Sequence, residues 1–267
     1  MIKFFRHIRQ RLIQKNQMGK YFKYAIGEII LVVIGILIAL QINTWNENRK
    51  ERIQEHILLE QLLTDFNSNL KQLDQKISMR YIFMDASKNL LNYIDNPDLR
   101  LKDSINFNIA RTMPYASFDP IIVDLASSGE LILIKNETLK HALTRWNSEI
   151  NDVIEDEVIW KEYRNNLYIP FLIENYQLRT IRNMAYKINL LGSYSLEVGE
   201  IITEYSKDAI GESAYNVDFN TLLNHPNFED HLTRCYAINS WANVQSQILR
   251  KRIVEIIDLI EAELNND

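Results

Sequence analysis

The sequence predicts an all-α chain in which an N-terminal transmembrane helix continues into an antiparallel helical bundle of about five helices. Three observations predict it. Only 7 Gly and 5 Pro occur in 267 residues, and sheets and tight hairpins place these residues at their turns. Apolar residues recur in alternating three- and four-residue steps along several stretches, the spacing of a packed helix face. One stretch near the N-terminus is almost wholly apolar. Three regions follow: a basic amphipathic head at 1–23, a membrane helix at 24–45, and a helical domain at 46–267.

In the head, Phe5, Ile8 and Leu12 share a helix face, with Phe4 beside it. Arg6, Arg9, Arg11 and Lys15 cover the rest. Such a helix lies flat on an anionic leaflet. Asn16 to Gly19 is expected to end it before the membrane helix begins.

Tyr24 to Trp45 reads YAIGEIILVVIGILIALQINTW. From Tyr24 to Ile42 it spans about 28 Å at 1.5 Å per residue, close to the roughly 30 Å hydrocarbon core. Tyr21, Phe22 and Tyr24 stand at one end and Trp45 at the other, where amphipathic rings favour the membrane interface. A buried helix in a water-soluble protein is the competing reading, and Glu28 and Gln41 speak for it. A cleaved signal peptide fits less well, because the positive region is long and Leu37 to Gln41 offers no small-x-small cleavage site.

Charge sets the direction. Residues 1–23 carry seven Lys or Arg and no acid, whereas 23 basic and 34 acidic residues follow position 45, a net −11. By the positive-inside rule the head stays cytoplasmic and the body crosses. An acidic body also argues against nucleic-acid binding. Glu28 falls about one turn inside the cytoplasmic face, where it can snorkel toward Lys20 or Lys23; an intramembrane partner contact or proton site is the functional alternative. Gly27, Leu31, Gly35 and Ala39 recur every fourth residue, and small residues on one face let a second helix approach closely.

Beyond Trp45 no helix breaker appears before Asn96-Pro97. Leu59, Leu63, Phe66, Leu70, Leu73 and Ile77 form a coiled-coil-like stripe. The membrane helix is therefore expected to run on into the body. Asp119-Pro120 suggests a cap and first helical residue, with the helix IIVDLASSG stopping at Gly129. Asn136 suits the cap of another helix, with Leu139, Leu143, Trp146, Ile150 and Val153 inward. Pro170 should kink or end it. Residues 192–195 and 211–220 read as loops. His225-Pro226 opens the last helix, with Leu249, Ile253, Ile256 and Ile260 inward.

Candidate chemistry is sparse. His225, Glu229 and His231 lie close in sequence, but the two histidines are poorly phased for one metal ion. Ser127-Ser128-Gly129 lacks the context of a nucleophile elbow. Glu155, Asp156 and Glu157 read as a solvated acidic face. Trp160, Tyr163, Tyr168, Phe171 and Tyr176 read as core, with a pocket inside the bundle as the alternative. The single cysteine, Cys235, reads as a small buried residue. No cofactor and no enzymatic activity are expected.

The string KYAIGEIILVVIGILIALQINTWNE, following a short basic head, resembles the start of a family of uncharacterised single-pass membrane proteins of Bacteroidota. The segment DLASSGELILIKNETLKHAL resembles that family's middle motif. The resemblance implies an inner-membrane anchor and a periplasmic helical domain, and it supplies no catalytic residues. The expected partners are the lipid bilayer and either a second copy or another envelope protein. The expected role is a non-enzymatic scaffold; the alternative is a ligand-sensing bundle that signals through a partner.

Overall fold

A computed structural model describes residues 18–122, 125–187, 190, 210–215 and 217–265. The amphipathic head expected at 2–15 and the loop expected at 192–195 lie outside them. The described residues are mostly helical and contain no strand, which establishes the all-α class. The chain divides into two compact units, Met1–Leu58 and Leu59–Asp267.

Helix α1 is unbroken from Met18 to Asp95, 78 residues. No proline precedes position 97 and no glycine falls between 35 and 129, so nothing interrupts the hydrogen-bond ladder. Gly19 was expected in the break before the membrane helix; it lies inside α1. Helix formation needs only intact neighbours on both sides, which one glycine weakens without abolishing.

In the first unit, the apolar part of α1 is bare. Ile29, Leu31, Leu37 and Ile42 are each more than half exposed. None of its most apolar 18-residue window is buried. The buried-core reading of this stretch therefore fails among the described residues.

The second unit is framed by three long helices: the C-terminal part of α1, α4 (Glu137–Tyr163) and α8 (Pro226–Asn265). Shorter helices pack around them: α2 (Lys102–Thr112), α3 (Leu125–Ser128), α5 (Ile169–Asn175), α6 (Leu178–Lys187) and α7 (Phe219–Leu223). Side-chain pairs give the directions. Asp74 meets Arg250 at 2.6 Å, Arg80 meets Asn243 at 3.1 Å, and Lys88 lies over the ring of Tyr236. Numbers rise on α1 as they fall on α8, so the two are antiparallel. The pairs Asn136–Glu263, Glu149–Arg252 and Tyr163–His231 show the same for α4 and α8. Phe66 packs on Trp146 and Arg80 pairs with Glu157, so α1 and α4 run parallel. Parallel neighbours need a long crossover, and residues 96–136 supply it.

The inward edge of α1 differs from the purely apolar stripe. Leu59, Phe66, Leu73 and Ile77 are buried as expected, but Leu62 and Asn69 are buried where Leu63 and Leu70 are only half-buried. The edge continues through Arg80, Phe83, Ser87 and Leu90, all buried. Beyond Asp95 the chain turns at Pro97, and Arg100 folds back. Its guanidinium donates to the carbonyls of Tyr93 and Ile94 at 2.7 and 3.2 Å. These belong to the last turn of α1, whose carbonyls lack intrahelical partners.

Asp119-Pro120 does not open a helix. Residues 118–121 lie in an irregular strap, and α3 begins only at Leu125. Side chains replace the missing helical hydrogen bonds. Phe118 N–H donates to Glu157 at 2.6 Å. Gln72 exchanges two bonds with the Asp119 backbone, at 2.7 and 2.9 Å, and Asn69 does the same with Ile121, at 2.7 and 3.0 Å. Asn69 and Gln72 are three apart on a helix, hence neighbours on one face, and they match alternate residues of an extended strap. Asn69→Ala should cost about 1–3 kcal/mol, because the Ile121 amide loses a buried partner. Chemical unfolding with hydrogen exchange checks this: the amides of Asp119 and Ile121 should exchange faster while those of α8 change least.

Several other expectations hold. Asn136 caps α4 by accepting from Leu139 N–H at 3.0 Å. Gly129 stops the helix before it with a φ of 76°, a left-handed conformation that glycine adopts without strain. Leu139, Leu143, Trp146, Ile150 and Val153 are buried, as are Leu249, Ile253, Ile256 and Ile260. Pro170 follows a wider, π-type turn at Arg164–Tyr168, which absorbs the backbone bond the proline cannot make.

Candidate functional site

Four features of the described residues bear on function. The first is the bare helix face of α1. Leu31, Gly35 and Ala39 are exposed, as is Gly27, and a Cβ built on either glycine would meet nothing within 4 Å. Glu28 lies half-buried near its start.

The second is a buried polar knot between α1, α4, α8 and the strap. The Arg80 guanidinium is 1% exposed and forms an ion pair with Glu157, 4% exposed. It also donates to Asn243 at 3.1 Å and Ser246 at 2.9 Å. Asn243 in turn donates to the Ile77 carbonyl at 3.3 Å, and the other Glu157 oxygen takes the Phe118 N–H. Burial pulls the Arg80 guanidinium below its usual range, to about 10, against the pull of Asp156. It stays charged at neutral pH. Glu157 thus departs from the solvated acidic face expected for 155–157. One residue of that run faces inward because the cation of Arg80 awaits it there.

The third is a cleft of about 840 Å³. Its walls come from α1 (Lys76 and Met79), α2 (Ala110), the segment after it (Met113 to Ser117), the π-type turn (Arg164) and α6. From α6 come Leu178, Arg179, Ile181, Arg182, Ala185 and Tyr186, with Leu190 and Ile210 beyond it. Among the described residues its lining includes the cations Lys76, Arg164, Arg179 and Arg182 and no Asp or Glu. The Arg164 Nε donates to the Met113 carbonyl, and its guanidinium lies over the Tyr115 ring. Burial lowers Lys76 and Arg164 from their ordinary values; Arg80 adds to the effect on Lys76 and Asp119 opposes it. None of Trp160, Tyr163, Tyr168, Phe171 and Tyr176 lines it, so this cleft is not the pocket entertained among those residues.

The fourth is an exposed apolar patch. Trp241, Val244 and Ile248 follow a three-four step on α8, and all are at least half exposed. Tyr81 of α1 is half exposed, and with Met84 it shares a groove with Val244 and Ile248. The Asp156 carboxyl is pushed up chiefly by burial, with the nearby Trp241 indole opposing.

The remaining candidates resolve into packing. His231 shares a hydrogen bond of 2.9 Å with the Tyr163 hydroxyl and packs on Phe171, as does His225. Burial lowers His231, with Asp230 opposing and His225 assisting. Among the described residues no group of His, Cys, Asp and Glu is arranged to hold a metal ion. Trp160, Tyr168, Phe171 and Tyr176 are core and Tyr163 is half-buried. The Tyr168 hydroxyl is 2.7 Å from Thr112 Oγ1, and that of Tyr176 donates to Asn106 at 2.5 Å. Cys235 is fully buried, and burial pushes its thiol up to about 12. A buried neutral thiol is a poor nucleophile. Maleimide should therefore leave Cys235 unmodified in the folded chain and label it fully in denaturant, read by intact mass.

These features define an all-helical protein in which, among the described residues, one helix is long and apolar enough to cross a membrane. Residues 28–145 match a family described as a family of unknown function (DUF6090). The match takes in the apolar part of α1, Asn69, Gln72, Arg80 and the strap; Glu157, α6 and α8 lie beyond it. No curated protein and no solved structure matches the chain.

Proposed function

We propose that the chain is a membrane-anchored helical interaction protein that works by binding and not by catalysis. In this reading the apolar helix crosses the bacterial inner membrane once, the basic N-terminus stays in the cytoplasm, and the domain from 46 to 267 stands in the periplasm. The carrying observation is the wholly exposed apolar window of α1: in water such a surface would associate or aggregate, and a bilayer covers it. The seven cations before it and the acidic body after it support the direction. The patch of Tyr81, Trp241, Val244 and Ile248 is the surface of the body that best suits a protein partner, since exposed aromatic and aliphatic anchors dominate interfaces. That partner is a second copy or another envelope protein.

Photocrosslinking from position 244 in intact membranes tests this role. A discrete adduct is expected from Val244, abolished by Trp241→Glu and Ile248→Glu together, and absent from the exposed polar position Lys71. Equal, diffuse labelling from both positions would overturn it. The 840 Å³ cleft favours a second reading, ligand sensing. In that reading a partner protein carries the signal.

A further inference from the structure

We infer that the exposed apolar face of α8 pairs with the same face of a second copy of this chain, the two α8 helices running parallel about a two-fold axis. This deepens the interaction reading and rests on it. Three observations within the helical body select a second copy as the occupant.

The first is a helix-packing pattern beyond the one the core uses. Helix α8 carries two stripes of alternating three- and four-residue steps. Ser246, Leu249, Ile253, Ile256 and Ile260 belong to the inward stripe and are buried. Ala237, Trp241, Val244 and Ile248 form the outward stripe, and all four are exposed. That spacing makes a seam into which another helix packs its side chains. It ends where Lys251 and Glu255 take the next two positions.

The second is a knob beside a hole. Trp241 leans toward α4, its indole near Asp156. On the other side of the stripe a groove of about 430 Å³ opens between α8 and α1. Tyr81, Met84, Val244 and Ile248 line that groove and Trp241 does not. Arg80 meets Asn243 and Lys88 meets Tyr236, so Tyr81 and Met84 stand level with Trp241. A two-fold axis along α8 lays the α4 flank of one copy on the α1 flank of the other, at the same level. Trp241 of each copy then enters the groove of its mate. An antiparallel pair would lay α4 flank on α4 flank and leave both grooves empty. Contacts that exchange in this way close at two copies, and a tryptophan seated in a pocket is a strong interface anchor.

The third is charge. The α4 flank carries Asp152 and Asp156, while Arg252 beside them is paired with Glu149 and Glu255. The α1 flank carries Lys251 at the groove and Lys88 over the Tyr236 ring. Asp74 on that flank is paired with Arg250, and Asp85, four residues after Tyr81, offsets one lysine. The parallel arrangement sets the acidic flank against the basic one, and the antiparallel arrangement sets acid against acid. Such complementarity selects register and orientation. Two copies anchored in one bilayer meet at a raised effective concentration, so a short seam suffices.

The test uses the full chain in intact membranes, with single added cysteines oxidised by copper phenanthroline. Cys235 is buried and should give no background. Val244→Cys and Ile248→Cys should each form a disulfide-linked dimer, and the exposed Lys71→Cys should not. Self-linking at two positions one turn apart fits the parallel pairing alone. Added to Ile248→Cys, Trp241→Ala should lower the dimer about tenfold. Ser240→Phe, which fills the groove from a half-buried position, should do the same with Trp241 and every charge intact. Lys251→Glu should weaken the dimer and Asp152→Lys in the same chain should restore it, a rescue that damage to the fold would not give. Urea melts of each variant separate loss of pairing from loss of fold. A dimer from position 244 but not 248, or equal dimer from Lys71→Cys, would overturn the inference. A discrete photocrosslink from position 244 to a different protein, with no dimer, would overturn the second copy and leave the binding role standing. Absence of both would sink the binding role as well.

Discussion

Replacing Arg80 by Ala is expected to destabilise the helical body by about 3–5 kcal/mol, a large share of the roughly 5–15 kcal/mol that holds a typical domain together. The loss comes mainly from what is stranded. Glu157 is 4% exposed, and without the guanidinium its carboxylate is left buried with only the Phe118 N–H and no counter-charge. Asn243 and Ser246 also lose a donor. The knot ties together α1, α4, α8 and the strap, so the effect should appear as one cooperative loss, without a separate early transition. Urea unfolding followed by the fluorescence of Trp146 and Trp160 measures it. The double variant Arg80→Met with Glu157→Leu should cost clearly less than the two single changes summed, because neither leaves an unpaired ion behind. A single-variant loss below about 1 kcal/mol would show that the pair is solvated and not buried.

Replacing Val33, Ile34 and Leu37 by Lys is expected to release the chain from membranes while leaving the body's unfolding transition in place. Each lysine near the centre of a membrane helix costs about 2.5–3.5 kcal/mol for insertion, so three amount to roughly 8–10 kcal/mol, more than a single apolar helix recovers. The three positions are exposed in the structure, so no packing in the chain is lost by the change. Fractionation with alkaline carbonate separates the outcomes: parent chain in the pellet, variant in the supernatant. The buried apolar core begins at Leu58, well past these positions, and the body's melt should shift little.

The long helices were legible in the sequence because their signal is redundant. Leu139 to Val153 and Leu249 to Ile260 repeat the same step several times, and each repeat points the same way. The strap was not legible. Asp119-Pro120 is a sound helix start on local grounds, but Gln72 and Asn69, 47 and 52 residues away, supply competing hydrogen bonds. Long-range partners of that kind leave no mark in a local window. Arg80 and Asn69 were passed over for a related reason: apolar counting skips a polar residue even when it falls in register. Arg80 stands three after Ile77, on the inward edge, and that phase was the available clue. Glu157 needed knowledge of Arg80. The cleft draws on α1, α2, the segment after α2, the π-type turn and α6, and no single stretch of sequence carries its lining. The apolar stretch of α1 was the clearest feature of all, since length and composition alone define it.

One measurement bears most directly on the bilayer placement: a dual reporter fused after Asp267, pairing an enzyme active only outside the cytoplasmic membrane with one active only inside it. A chain crossing once with its cationic end retained gives activity from the external reporter alone. Activity from the internal reporter alone would contradict the placement, along with the periplasmic role built on it.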